Sequence, residues 1–407
     1  MGSVPIVLLL AAHVLSMLGF ATYSALLPEL RDLWRLTNAE AGLIGSSFYA
    51  GYVATVSYWT ALTDRTDARR VYLAGGILCA AGSLGFGWLA QGLASAMLFQ
   101  ALIGAGLAAT YMPGLRLLSD RIDGVAQSRA IAFYTSFFGI GVALSLVLTG
   151  AIAAAWGWRA AFGLLALGPA GAALLVTVGL RRVGESASAQ KSFALSDLFP
   201  VQAWRRVLGA RASLGYTLGY TAHSLELLGS RSWMVAFLAF CAGFHVAGST
   251  FPWSATTIAA VVNVASVPAS ILGNEIALRI GRGRWILIVM FASASGGIAL
   301  AASAPLHWAL VIALLIAYSM LVLADSATLT AGYVAAAPPG LRGAAMGVYS
   351  LAGFTGGMLG PTLFGATLDL AGGEGSRAAW MWAYASLGAA GLAAPLIVRL
   401  ASRSRRT

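Results

Sequence analysis

The chain alternates between long apolar runs and short polar stretches that carry most of its arginines. A helix rises 1.5 Å per residue, so about 20 apolar residues cross the hydrocarbon core of a bilayer. Runs of that length predict twelve membrane-spanning helices. We number them segments 1 to 12, and they cover residues 4–27, 41–63, 71–91, 94–118, 130–155, 160–180, 211–241, 254–278, 285–304, 308–336, 342–368 and 378–398. The pattern therefore predicts an all-α integral membrane protein.

The composition supports this class. The 407 residues are 59% hydrophobic and only 10% charged, whereas a soluble domain carries about 25% charged residues. The net charge of +11 could indicate a nucleic-acid-binding protein. However, the basic residues fall between the apolar segments, which is typical of membrane topology. We therefore expect the chain to lie in a lipid bilayer and to have no nucleic-acid partner.

The basic residues also predict the orientation. With a cytoplasmic N-terminus, twenty of the 25 fall on the cytoplasmic side. Arg31, Arg35, Arg159 and Arg377 fall on the other side, and Arg231 lies inside segment 7. This asymmetry satisfies the positive-inside rule and places both termini in the cytoplasm, with a bacterial inner membrane as the expected location. Segment 1 lacks a preceding basic region and a cleavage site, so we expect a retained helix and not a signal peptide.

A charged stretch, residues 181–211, divides the chain near its middle. It predicts a cytoplasmic linker between two six-helix domains, residues 1–180 and 212–407. Basic landmarks recur at nearly one offset in the two halves: 214 residues separate Arg65 from Arg279, 213 separate Arg129 from Arg342, and 218 separate Arg159 from Arg377. Two parallel repeats of this kind are typical of secondary transporters, which bind substrate near the middle of the membrane.

Several short motifs are similar to those of one transporter family. Asp64 and Arg65 follow segment 2 in a loop like that family's G-x-x-x-D-R-x-G-R-R gating loop, although Thr60 and Asp67 stand where glycines are usual. Further similarities lie at residues 99–106, 156–162, 273–284 and 339–347. In this order on twelve segments, the motifs resemble the major facilitator superfamily over essentially the whole chain. The resemblance implies two six-helix bundles that work by alternating access.

The resemblance also implies a cytoplasmic gate around Asp64. A helix dipole disfavours a carboxylate at the C-terminal end of a helix, so Asp64 needs a positive partner. Arg116 on segment 4 and the N-terminus of segment 11 are the candidates. Asp64 would then be a latch for the outward-facing state; the alternative is a solvated charge that only fixes topology. The predicted gate residues are Asp64, Arg65, Arg69, Arg116, Arg279 and Arg342.

Segment 7 carries an unusual group of ionisable residues. His223, Glu226 and Arg231 lie in one apolar run, where each charge costs about 2.5–3.5 kcal/mol on insertion scales. Glu226 and Asp325 of segment 10 are the two acidic residues deep in apolar segments, so they are the predicted proton carriers. His223 and Glu226 share a helix face, which favours a contact between them.

A structural ion pair is the alternative for Glu226 and Arg231. On a regular helix these two residues point about 140° apart. The pair would therefore need an unwound helix at Gly229-Ser230, which would also divide segment 7 in two. We favour one continuous helix, because the charges then stay on consistent sides of the membrane.

Arg231 indicates the class of substrate. A guanidinium holds a carboxylate with two parallel hydrogen bonds, so the sequence favours a small organic anion. The other predicted substrate-binding residues are His223, Tyr220, Tyr216, Tyr49, Tyr52, Asn263, Tyr349 and His13. Aromatic side chains at such spacings also serve packing, which is the alternative for each of them.

The predicted function is alternating-access transport of a small organic anion, coupled to protons, by a monomer. The alternative is proton-coupled efflux of drugs or amphiphiles by the same fold. No P-loop, H-E-x-x-H or Gly-x-Ser-x-Gly motif occurs, so we predict no enzyme activity. The pair His223 and Glu226 is too sparse for a metal site, and no cofactor is expected.

Overall fold

The protein is described by a computed structural model that covers residues 4–122, 124–180, 200–244, 251–338 and 340–402. All regular structure within these residues is helical. The helices are α1 (Val4–Ser16), α2 (Thr22–Trp34), α3 (Asn38–Thr63), α4 (Ala68–Leu89), α5 (Leu93–Ser119), α6 (Gly124–Leu165), α7 (Leu167–Gly179), α8 (Val201–Gly209), α9 (Arg211–Ala242), α10 (Ala255–Ile280), α11 (Arg282–Ala302), α12 (Trp308–Leu323), α13 (Ser326–Ala336), α14 (Arg342–Leu370), α15 (Arg377–Gly388) and α16 (Ala394–Ser402), with a 3₁₀ helix at Ala389–Ala393.

Each predicted segment corresponds to one or two of these helices, which confirms the all-α membrane fold. Among the residues described, eight helices are long and apolar enough to cross a membrane by length and composition. Segments 5 and 6 follow one another through α6 and α7, and Gly157, with a φ of +81°, separates them inside α6. Segment 7 is one continuous helix, α9, as predicted.

Segments 1 and 10 contain interruptions that no sequence pattern predicted. Segment 1 consists of α1 and α2, separated by turns at residues 17–21. Segment 10 consists of α12 and α13, separated at Ala324 and Asp325. A break in a helix releases backbone N–H and C=O groups that need new partners. Within a membrane such breaks are tolerated only where protein or a water-filled cavity supplies those partners.

The break in segment 1 is held by one hydroxyl group. The Ser145 hydroxyl of α6 donates to the carbonyl oxygen of Leu18 at 2.6 Å and accepts from the backbone N–H of Ala21 at 3.1 Å. The hydroxyls of Thr22 and Thr149 lie 3.2 Å apart one turn further on. These contacts join α6 to both sides of the interruption, so the break is a built feature of the fold.

The chain forms two compact units. Unit 1 contains residues 1–26 and 47–199, and unit 2 contains residues 27–46 and 200–407. The predicted linker, 181–211, is described only from residue 200 onward, where α8 begins at Val201. Its earlier part lies outside the described residues.

One helix contact recurs in the two units. In unit 1, a Cβ atom on Gly51 of α3 would lie 2.0 Å from the carbonyl oxygen of Ala101 of α5. In unit 2, a Cβ on Gly273 of α10 would lie 1.9 Å from the carbonyl oxygen of Ala324. Only glycine permits backbones to approach so closely. The offsets of 222 and 223 residues between the members of these pairs resemble the repeat found in the sequence.

A carboxylate of α14 bonds residues 27–46 within unit 2. Asp369 of α14 accepts hydrogen bonds from the backbone N–H groups of Asn38 and Ala39 and from the Asn38 side chain, at 2.7–3.1 Å. The Asn38 side chain also accepts from Arg31, which forms an ion pair with Glu374. The Asp369 carboxylate bonds N–H groups at the N-terminus of α3 that have no partner within the helix. The positive end of the helix dipole also stabilises an anion at this position.

Candidate functional site

The interruption of segment 10 places a carboxylate in the interior of unit 2. Asp325 occupies the residue position just before α13, where the positive end of a helix dipole favours an anion. Its Oδ1 lies 2.7 Å from Nδ1 of His223 on α9. The two side chains are 3% and 1% exposed. The carbonyl oxygen of Ala324, freed by the break, accepts from Nε1 of Trp285 at 2.9 Å.

Glu226 lies one turn further along α9 and is also buried. The Ser293 hydroxyl of α11 donates to its Oε2 at 2.9 Å, and the Tyr318 hydroxyl of α12 donates to its Oε1 at 3.2 Å. Both partners are neutral groups on neighbouring helices. The predicted contact between His223 and Glu226 is replaced by these longer-range bonds, because each side chain reaches a partner on another helix.

A stack of aromatic rings adjoins His223. Tyr220 lies 5.7 Å from His223 and 3.8 Å from Tyr349, nearly parallel to both rings. Tyr349 in turn stacks on Tyr333 at 4.5 Å, and its hydroxyl lies 3.0 Å from that of Thr330. The structure therefore brings together three of the predicted substrate-binding residues beside Asp325. We call His223, Glu226 and Asp325 with their bonded partners the polar cluster of unit 2.

The helix α9 is positioned for this cluster by glycines of α14. A Cβ on Gly356 would lie 2.4 Å from the carbonyl oxygen of Thr221, and one on Gly360 would lie 2.5 Å from that of Leu225. Nε1 of Trp233 donates to the carbonyl oxygen of Pro361 at 3.0 Å. Because the two backbones are in contact, α9 is held at a fixed rotation about its own helix axis. The directions in which its side chains point are therefore fixed as well.

Three other predicted residues of unit 2, Arg231, Tyr216 and Asn263, lie outside the polar cluster. Arg231 is half-buried on α9, and because the helix is regular its side chain diverges from that of Glu226. Tyr216 packs over Gly332 within an apolar core. The Asn263 side chain donates to the carbonyl oxygen of Ala259 in its own helix at 2.8 Å. The latter two side chains are thus engaged in packing and local bonding.

The predicted residues of unit 1 include a histidine with an uncommon environment. His13 is fully buried near the end of α1, and neither ring nitrogen has a hydrogen-bond partner among the described residues. Its ring stacks on Tyr134 at 4.0 Å. Tyr49 and Tyr52 are buried on α3 of the same unit.

The predicted gate residues lie at helix ends. Asp64 forms an ion pair with Arg116, whose Nη1 also donates to the Thr63 hydroxyl at 3.0 Å. Arg69 pairs with Asp67, whose side chain caps α4 by accepting from the Arg69 backbone N–H at 3.0 Å.

The remaining predicted gate residues are Arg65, Arg279 and Arg342. Arg65 is half-buried, and Arg279 is exposed in the last turn of α10. Arg342 opens α14, but its side chain lies outside the described part of the chain.

A further arginine, Arg121, lies near the gate residue Arg69, beyond the end of α5. Burial and the neighbouring charge of Arg69 lower the pKa of Arg121.

Sequence reasoning missed several partners. Ser293 and Tyr318 are single polar residues in apolar segments, and nothing in their local pattern links them to Glu226. Ser145 and Asp369 act on backbone groups more than 100 residues away. Within the described residues, no group of three His, Cys, Asp or Glu side chains could hold a metal ion.

Comparisons with known proteins identify the fold and give a few distant relatives. The family model described as Major Facilitator Superfamily matches residues 9–361. A probable 4-methylmuconolactone transporter of Cupriavidus pinatubonensis is 32% identical over 150 residues, which is 34% of this chain and 33% of that protein. The putative niacin/nicotinamide transporter NiaP of Bacillus subtilis is 25% identical over 144 residues, 35% of this chain and 36% of that protein. The chain thus matches about a third of the length of these relatives.

Solved structures resemble the whole chain. A bacterial homologue of the human lysosomal transporter Spinster, in an inward-facing and occupied conformation, superposes with a TM-score of 0.78 at 16% identity, covering 99% of this chain and 98% of that chain. The nucleoside transporter NupG gives a TM-score of 0.72 at 15% identity, covering 97% and 100%. At these identities the likeness shows the fold alone.

Proposed function

Because the chain belongs to the major facilitator superfamily, we propose that it is a proton-coupled secondary transporter of a small organic anion. The family makes it a multi-pass membrane transporter and not an enzyme. The observation that carries the rest of the proposal is the polar cluster of unit 2. Two carboxyl groups, those of Glu226 and Asp325, are buried on membrane-spanning segments.

The partners of these carboxyls favour proton exchange over a structural role. In the described part of the chain, Glu226 is bonded by the hydroxyls of Ser293 and Tyr318, and Asp325 is bonded by His223. A buried charge is costly without an opposite charge. Hydroxyl groups can bond a carboxyl group in either protonation state, and an imidazole can itself carry a proton. Ionisable groups of this kind inside membrane proteins mark proton pathways.

Arg231 supports the choice of an anion. It lies on α9 beyond Glu226, within a segment long and apolar enough to span the membrane. A guanidinium there is suited to a carboxylate, because its planar fork matches the two oxygens. The two bacterial relatives are named for transport of 4-methylmuconolactone and of niacin or nicotinamide, which are small organic molecules. We assign the same broad class of substrate to this chain.

Thermal stabilisation of the purified protein tests the anion. Small organic anions, organic cations and neutral amphiphiles would be added to wild type, to Arg231→Gln and to the control Arg377→Gln, which removes an exposed arginine at the start of α15. Anions are expected to raise the melting temperature of wild type and of the control, and to lose that effect in Arg231→Gln. Stabilisation by cations or amphiphiles that survives Arg231→Gln would contradict the proposal and favour the efflux function.

The orientation and assembly complete the proposal. We place both termini in the cytoplasm of a bacterial cell, with the transporter in the inner membrane as a monomer. The asymmetry of the basic residues supports this orientation. Labelling of single cysteines introduced near Thr407 and near Arg159 would test it, since the two positions should react from opposite sides.

A further inference from the structure

We propose that unit 1 contains a subsite for a flat, uncharged ring of the substrate, built around His13. The subsite consists of His13, Tyr111, Tyr134 and Phe138, which we call the aromatic box. The inference rests on the proposed transport function and adds the shape and chemistry of the substrate. It is carried by four observations within unit 1.

The first observation is the unmet hydrogen bonding of His13. A neutral imidazole has one donor and one acceptor nitrogen. His13 is 0% exposed, and both of its nitrogens lack a partner among the described residues. An unpaired buried polar group destabilises the folded protein. The described residues therefore leave both nitrogens without a partner, and we assign that role to water or a ligand.

The second observation is that the surroundings of His13 are flat rings. Tyr134 stacks on it at 4.0 Å with an interplanar angle of 21°, and the rings of Tyr111 and Phe138 lie at 5.5 and 6.3 Å. The Tyr134 hydroxyl donates to the backbone carbonyl of Tyr111 and so does not serve the imidazole. Aromatic faces of this kind favour stacking with another flat ring.

The third observation is the break of segment 1 beside the box. The α1 helix ends at Ser16, one turn after His13, and the Ser16 hydroxyl donates to the His13 carbonyl oxygen at 2.7 Å. Interrupted helices in transporters form binding sites. A Cβ atom on Gly19, in the middle of the break, would meet no atom within 4 Å. The break therefore borders open space.

That space is a small cavity of about 10 Å³, roughly one water molecule. Ser16, Gly19, Phe20 and Phe48 line it on the side of the break. Phe20 lies 5.1 Å from Phe138, so one aromatic contact joins the cavity to the box. The proposal requires these two phenylalanine rings to rotate, so that the cavity extends to the imidazole and admits a ring.

The fourth observation is the absence of charge. Neither the box nor the residues that line the cavity include an aspartate, glutamate, lysine or arginine. A charged ligand group would be desolvated there without compensation. The subsite is therefore suited to an uncharged ring with a hydrogen-bonding atom.

Four probes in two matched pairs test this inference. Benzoate and cyclohexanecarboxylate share a carboxylate but differ in ring flatness, and benzamide and cyclohexanecarboxamide repeat the comparison without charge. Melting temperatures would be measured for wild type, His13→Leu, Phe138→Leu and Tyr58→Phe. Wild type and the control Tyr58→Phe, which alters an exposed tyrosine of α3 outside the box, are expected to prefer the flat member of each pair.

His13→Leu removes the flat imidazole, so it is expected to reduce the shift from benzoate to that from cyclohexanecarboxylate, and the shift from benzamide to that from cyclohexanecarboxamide. Without ligand, this variant is expected to melt at a higher temperature than wild type, because it removes the unpaired nitrogens. If the variant does not fold, Phe138→Leu decides, because it removes one wall and leaves the imidazole. Flat-ring preference that survives in the folded variants, or is missing in wild type, overturns the inference, and His13 is then satisfied by water.

The same probes separate this inference from the proposed function. Arg231→Gln is expected to abolish the shifts from both carboxylates and to leave the preference for benzamide over cyclohexanecarboxamide. If Arg231→Gln changes nothing while the flat-ring preference is present, the anion proposal fails and the aromatic box stands. If carboxylate shifts depend on Arg231 but ring flatness has no effect, the anion proposal stands and the box fails.

Discussion

The two units of the molecule each contain one interrupted helix beside a buried histidine, but they equip it differently. In unit 1 the break at residues 17–21 is held by the neutral hydroxyl of Ser145, and His13 has no bonded partner among the described residues. In unit 2 the break carries Asp325, which is bonded to His223. The same architectural device thus holds neutral chemistry in one unit and ionisable chemistry in the other.

This difference indicates how two related units can serve one transport cycle with separate tasks. An imidazole among flat rings is suited to an uncharged ring, whereas paired ionisable groups are suited to protons and charge. Repeats keep a helix arrangement, as the matching contacts of Gly51 and Gly273 illustrate. The side chains placed on that arrangement can then diverge.

The largest expected effect concerns proton coupling in unit 2. We expect Glu226→Gln and Asp325→Asn each to abolish accumulation driven by a pH gradient in proteoliposomes, while exchange of labelled for unlabelled substrate continues. A coupled proton can sustain about tenfold accumulation for each unit of pH difference, since one unit is worth about 1.4 kcal/mol. Glu275→Gln, which alters an exposed carboxyl of α10, is the control and should accumulate normally. Accumulation that persists in both variants would remove the coupling claim.

The next largest effect concerns stability in unit 2. Asp325→Ala leaves the buried His223 without its hydrogen-bond partner, which costs about 1–3 kcal/mol, and more where the groups are charged. A double-mutant cycle with His223→Phe, followed by denaturation in detergent, measures the coupling between them. We expect the double variant to lose much less than the sum of the two single variants. Additive losses would show that the two side chains do not depend on each other.

A smaller effect is expected at the break in unit 1. Ser145→Ala leaves the Leu18 carbonyl and the Ala21 N–H without their bonded partner, which costs about 1–3 kcal/mol. The matched control is Ser266→Ala, because Ser266 is equally buried but bonds only the carbonyl of Asn263 in its own helix. Melting temperatures should fall for the first variant and stay nearly constant for the second. Equal falls would mean that the break does not depend on Ser145.

Much of the fold could be predicted from the sequence, because apolar runs of about 20 residues have few alternatives to spanning helices. The position of the interruptions could not. Gly229 suggested a break in segment 7, but it lies against Gly360 of α14, so a glycine there serves close packing in a continuous helix. The real breaks depend on partners from distant segments, such as Trp285 at Ala324.

The candidate site shows the same limit. The rarity of ionisable residues in apolar segments was enough to single out Glu226 and Asp325. Their partners were not predictable, because the helix spacing of His223 and Glu226 favoured a local contact that long-range bonds replaced. The Asp64 and Arg116 pair was foreseeable, since the helix dipole at the end of α3 requires a nearby positive charge.

The most direct test of the central claim, that ionisable chemistry resides in unit 2, is a count of protons bound with the substrate. Calorimetric titration of the most stabilising anion, in buffers of different ionisation enthalpy, gives that number for wild type, for the double variant of Glu226→Gln and Asp325→Asn, and for His13→Phe. We predict uptake of about one proton per anion in wild type and in His13→Phe, and none in the double variant. Unchanged uptake in the double variant, or loss of uptake in His13→Phe alone, would contradict the account.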